Sequence, residues 1–178
     1  SKGAKWKTIE PWIVNPINIS GLDGNFVFSN LDFDISKWET AAGKNILGAG
    51  SVTSDVLVDD MISPDNQNEI YFADVNYSGA IAITIVWGRF SGPISQRVLV
   101  EWDQVYDDVD FDWSASGETG KMDFENIATH ELGHSVGMND LYTTTCVQET
   151  MYGYASFGEI KKRTLEAGDI TGIKKLYA

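Results

Sequence analysis

The stretch Met122-Asp123-Phe124-Glu125-Asn126-Ile127-Ala128-Thr129-His130-Glu131-Leu132-Gly133-His134-Ser135-Val136-Gly137-Met138-Asn139-Asp140 decides the fold. Phe124, Ile127, Ala128, Leu132 and Val136 recur at three- and four-residue steps, which puts one apolar stripe along a predicted helix. Asp123 stands where a carboxylate caps the first turn, and Gly137 where a glycine ends the last. On that helix His130 and His134 project from one face, about a turn apart. Two imidazoles so spaced can both reach one Zn²⁺ at about 2.0–2.1 Å. Glu131, one step round, can hold a water beside the metal, take its proton and pass it to a leaving amine. Gly137 tolerates the left-handed conformation, so the chain can turn sharply and bring Asp140 back under the metal. Two imidazoles, one carboxylate and one open position make a catalytic zinc site rather than a closed structural one. The competing reading is a chance pattern on an amphipathic helix, with the histidines merely satisfied polar groups. Against it, these are the only 2 histidines of the chain, and both fall on the helix that periodicity predicts.

Outward from this helix the chain alternates less regularly. Trp12-Ile13-Val14 reads as a short strand ended by Asn15-Pro16, and residues 33–47 as a helix capped by Asp34 and closed by Gly48 and Gly50. Strands are expected over Val52 to Val58, Glu69 to Ala73, Ile81 to Trp87 and Arg97 to Trp102, all rich in β-branched and aromatic residues. Asp103 to Gly120 is acidic and polar and reads as loop, as does the irregular stretch from Asn139 to Arg163. A last amphipathic helix carries Ile170, Ile173 and Leu176 on one face. This order predicts an α+β chain without βαβ alternation.

At 178 residues, with 43% hydrophobic and 12% aromatic content, the chain can bury one domain's core. The formal charge of −13 makes nucleic acid and anionic membrane surfaces poor partners. The longest apolar run, Ala80 to Trp87, is broken by Thr84 and is too short to cross a bilayer. No basic region followed by an apolar one opens the chain, so no signal peptide is expected within it. The cluster Asp103, Asp107, Asp108, Asp110 and Asp112 offers oxygen ligands for Ca²⁺, but its spacing fits no EF-hand, and solvated loop carboxylates are the favoured reading. Cys146, the only cysteine, reads as an unpaired small residue in a loop.

With these residues in place, the chain resembles the metzincin metallopeptidases, whose signature is HExxHxxGxxH followed by a Met-turn. His130, Glu131, His134 and Gly137 match it, while Asp140 stands where most members carry a third histidine, as in the snapalysin branch. Met151, in Thr150-Met151-Tyr152-Gly153, fits the Met-turn. Asn68 to Ala73 and Leu165 to Ile173 look matrixin-like, the first as the central strand before the substrate-binding edge strand, the second as the opening of the C-terminal helix. The resemblance implies a metzincin-like catalytic domain over 1–178: a mixed twisted sheet, an active-site helix, the Met-turn and a C-terminal helix. Its subdomains would be about 1–137 and 138–178. It further implies one catalytic Zn²⁺ on His130, His134 and Asp140, Glu131 as general base and acid, and a secreted, monomeric protein. Ile81 to Trp87 would be an edge strand to which an extended peptide adds. Tyr142, Tyr152 and Tyr154 would wall or support the specificity pocket, with core packing as the plainer role.

The expected function is hydrolysis of peptide bonds in a protein or peptide substrate. The alternative is a non-catalytic binding domain on the same scaffold with structural or vestigial zinc, and a third option is hydrolysis of a non-peptide amide.

Overall fold

A computed structural model describes residues 2–178. The strands are β1 (Trp12–Val14), β2 (Gly50–Val52), β3 (Asn68–Ala73), β4 (Ala82–Arg89), β5 (Val98–Asp107), β6 (Trp113–Ser114) and β7 (Met122–Asp123). The α-helices are α1 (Gly24–Ala42), α2 (Phe124–Ser135) and α3 (Ala167–Tyr177). The main sheet runs β2-β1-β3-β5-β4, with β3 central. Its pairings are parallel except the last, where β4 lies antiparallel to β5 along one edge. The short β6 and β7 form a separate parallel pair.

Alternation along β5 decides which face is which. Trp102, Gln104 and Tyr106 point to the helices: Tyr106 meets Phe124 of α2 at 5.1 Å between ring centroids, and Gln104 Nε2 donates to Ser135 Oγ at 2.9 Å. Glu101 and Asp103 alternate with them and face the other side, where backbone amides of Asn66 and Asp60 donate to them and so fasten the segment 53–67 across the sheet. α1 packs on α2 through its buried stripe of Val27, Leu31, Ile35 and Trp38, and Trp38 Nε1 donates to Thr129 O at 2.8 Å. Lys37 bridges the two helices, 2.6 Å from Asp34 and 2.7 Å from Glu125.

Several expectations need correction. The first helix begins at Gly24, upstream of the expected 33–47, with Asp23 as N-cap accepting from Phe26 N at 3.0 Å. Its apolar stripe extends upstream through Val27 and Leu31, and Asp34 is a buried interior residue of the helix, not a cap. Gly43, at φ 68°, ends it, whereas Gly48 is a loop residue and Gly50 opens β2. The strand expected over Val52 to Val58 stops at Val52. Val56 is 88% exposed, so β-branched content there meets no partner strand. β5 runs five residues past Trp102 into the acidic stretch, because Gln104 and Tyr106 find partners on the helix side. The strands at Trp12–Val14, Asn68–Ala73 and Ala82–Arg89 and the last two helices lie close to where the sequence put them.

Candidate metal centre

α2 ends where the ligands must converge. Asp123 accepts from Asn126 N at 2.9 Å at the helix start and holds Arg163 through both oxygens, at 2.8 and 2.5 Å. At the other end Gly137 takes φ +100°, and a Cβ there would lie 2.8 Å from Ala4 O. Only glycine fits this turn, which carries the chain from α2 to Asp140.

Three side chains meet there. The Asp140 Oδ1 atom lies 3.1 Å from His130 Nε2 and 3.4 Å from His134 Nε2, and the two imidazoles stand nearly perpendicular with centroids 4.9 Å apart. All three ligand atoms lie within 4.8 Å of one another, a spacing at which they could hold a metal ion. Each ring is oriented from behind: His130 Nδ1 faces Thr150 O at 2.7 Å and His134 Nδ1 faces Met138 O at 3.0 Å. A carbonyl only accepts, so each Nδ1 carries a proton and Nε2 is the ring atom turned toward Asp140 and available to a metal. Burial disfavours a charged His134. Its hydrogen bond to Asp140 and the charges of Glu131 and Asp140 outweigh that and raise its pKa. Burial pushes the Asp140 carboxyl up, but both imidazoles hold it well below the usual carboxylate range. An ionised carboxylate facing two imidazole Nε2 atoms is a donor set that suits Zn²⁺, which would take the place of the Nε2 protons.

The floor is built from the turn around Met151 and from α3. Met151 is fully buried, and a Cβ on Gly133 would lie 2.2 Å from its sulfur, so the glycine inside the histidine motif lets the methionine seat against the helix. Asp169 of α3, also buried, accepts from Thr150 N at 2.7 Å and Met151 N at 3.1 Å. It thereby fixes the carbonyl of Thr150 that orients His130.

Glu131 faces the cleft beside the histidines, its Oε2 accepting from Thr84 Oγ1 of β4 at 2.5 Å. The cleft holds about 650 Å³ and is lined by β4, the metal group and the segment 153–155. Of the three tyrosines singled out, Tyr154 lines it. Tyr142 donates to Asp140 Oδ2 at 3.0 Å and lies over Gly153, while Tyr152 packs edge-on to Tyr154 and beneath the Lys161 ammonium. The aspartates suggested for calcium do not gather. Asp107 accepts from the amides of Val75, Val109 and Asp110, and Asp108 from Ile19 N. Asp103 instead groups with Asp60 and Glu101, whose oxygens lie within 4.8 Å of one another. Burial, first, and the neighbouring carboxylates raise both Glu101 and Asp103 to about 7. Cys146 sits half-buried in a turn as a free thiol, its sulfur accepting from Thr143 Oγ1 at 3.2 Å.

Sequence reasoning missed Thr84 and Asp169 as supports of the site. Thr84 had a signal, being the polar interruption of the β4 apolar run. Asp169 had none beyond its place in the first turn of α3.

A mixed sheet with an antiparallel edge strand, set over a helix that presents two imidazoles and a glutamate, defines a metallopeptidase-type domain. Residues 100–178, from within β5 through α3, match the family model of the matrixins, and over that part the fold is matrixin-like. No curated protein matches the chain. Among the described residues no helix is long and apolar enough to cross a membrane.

Proposed function

We propose that this protein is a secreted zinc endopeptidase, with subdomains 1–137 and 138–178 meeting at the cleft. The observation that carries the reading is the convergence of His130, His134 and Asp140, each imidazole oriented by a backbone carbonyl, with Glu131 beside them. His130 Nε2, His134 Nε2 and Asp140 Oδ1 would hold the zinc, and the matrixin match supports that metal. Bound there, zinc supplies Lewis acidity toward a carbonyl oxygen and eases deprotonation of water. The rest falls to the chain. Thr84 holds one Glu131 oxygen, leaving the carboxylate aimed for proton transfer. Glu131 takes the proton of the attacking water and returns it to the amine nitrogen as the peptide bond breaks. β4 has a free edge beside the cleft, so an extended peptide can pair its backbone along it, which favours peptides over other amides.

The test is digestion of a denatured protein by the purified chain. Cleavage that a chelator stops, zinc restores and Glu131→Ala abolishes supports the reading. Full activity in Glu131→Ala sinks the mechanism. Zinc binding without any cleavage favours the non-catalytic alternative.

A further inference from the structure

Lys162 is the one lysine of the chain buried to 1% exposure, and it lines the cleft. Its backbone cannot drift: Lys162 N donates to Asn126 Oδ1 of α2 at 2.8 Å, and its carbonyl accepts from Thr150 Oγ1 at 3.4 Å. Its Nζ donates to Tyr152 O, on the Met-turn side of the cleft. An ammonium carries three donors, and one carbonyl satisfies only one of them. Among the described residues no carboxylate lies within 4 Å of Nζ. A buried cation without an anion is unfavourable unless something completes it. Burial pulls its pKa below the ordinary lysine value, while the charges of Glu159, Glu131 and Asp140 pull the other way.

The surroundings say what completes it. Ile127, Tyr154 and Ala155 line the same cleft and offer contact to methylene groups. The cations that line it are Lys162 and the exposed Lys2, in a protein whose formal charge is −13. A short aliphatic stem ending in a carboxylate fits both wall and end. We propose that Lys162 is a specificity-determining residue that receives an acidic side chain, glutamate or aspartate, next to the scissile bond of the substrate. The proposal rests on the peptidase reading above and makes it specific.

The experiment uses zinc-loaded protein and peptides differing only in whether Glu, Gln or Leu stands on either side of the cut. In the wild type, kcat/KM for the Glu peptide exceeds that for Gln by about tenfold or more, the scale of a desolvated charge pair. Lys162→Met removes that preference and still cuts the Leu peptide, and Lys162→Arg keeps it. A lysine with only a structural role would slow all peptides alike. Equal rates on Glu and Gln in the wild type, or an intact preference in Lys162→Met, overturn the proposal. If Lys162→Met does not fold, the wild type and Lys162→Arg decide. If the wild type cuts nothing, the peptidase reading fails, and calorimetric binding of short Glu- and Gln-bearing peptides tests the pocket by itself. A Glu preference there supports the pocket, and equal binding overturns it.

Discussion

Two groups of three ionisable side chains sit on opposite faces of the same sheet, and they solve the problem of crowding in different ways. His130, His134 and Asp140 combine two bases with one acid, and each imidazole has a carbonyl behind it. Asp60, Glu101 and Asp103 are all acids, and one oxygen of the fully buried Glu101 and one of Asp60 have no hydrogen-bond partner. In the first group the charges complement one another, so Asp140 is driven low and His134 high. In the second they oppose one another, so Glu101 and Asp103 are driven up to about 7. Proximity alone leaves the two groups alike, since the three ligand atoms of each lie within 4.8 Å of one another. The histidine group is distinguished by its orienting shell of Thr150, Met138, Tyr142 and Thr84.

If that shell matters, removing it must cost activity without removing a ligand. Thr84→Val leaves Glu131 without its hydrogen bond, a charged one of roughly 1.5–3 kcal/mol. A fall of about 10- to 100-fold in kcat on a peptide substrate is expected, with little change in KM. An unchanged kcat would mean that Glu131 needs no support from β4. Gly133→Ala drives a methyl into Met151 and Trp38 beneath the histidines. Overpacking of this kind costs about 1–3 kcal/mol, read as a lowered urea midpoint. Tyr142→Phe strips the hydrogen bond from Asp140 Oδ2. The loss in zinc affinity should be near the lower end, about tenfold, since the ring is 60% exposed. Competition against a chromogenic chelator measures it.

The acidic group gives the opposite sign of pH dependence. Carboxyls whose pKa is raised on folding stabilise the fold below their unfolded value near 4, and that stability is lost as pH rises through about 7. Thermal midpoints in chelator should therefore fall between about pH 4 and pH 7 through this group, and Glu101→Gln should flatten the fall. An unchanged slope in Glu101→Gln would show that the group carries no such coupling.

How much of this was legible in the sequence follows from the range of the interactions. α2, its Asp123 cap and the turn at Gly137 are set by contacts a few residues apart, and periodicity places them correctly. The start of α1 lies upstream of the expected one, although Val27 and Leu31 continue the helical spacing of Ile35 and Trp38 and Asp23 stands at the cap position. The segment 53–67 looked like a strand in part, yet its fastening to Glu101 and Asp103 joins residues more than thirty apart. Lys162 lies in a run of three basic residues in which nothing marks the buried one. Its burial comes from Asn126 and Tyr152, which are close only in space.

Zinc titration of the chelator-stripped protein, with cleavage followed at each addition in the wild type and in Glu131→Ala, tests the peptidase reading most directly. The expected result is one zinc bound per chain in both, with cleavage rising to a plateau at one equivalent in the wild type and absent in Glu131→Ala. Cleavage that is complete before any zinc is added, or equal in the two proteins, would contradict it.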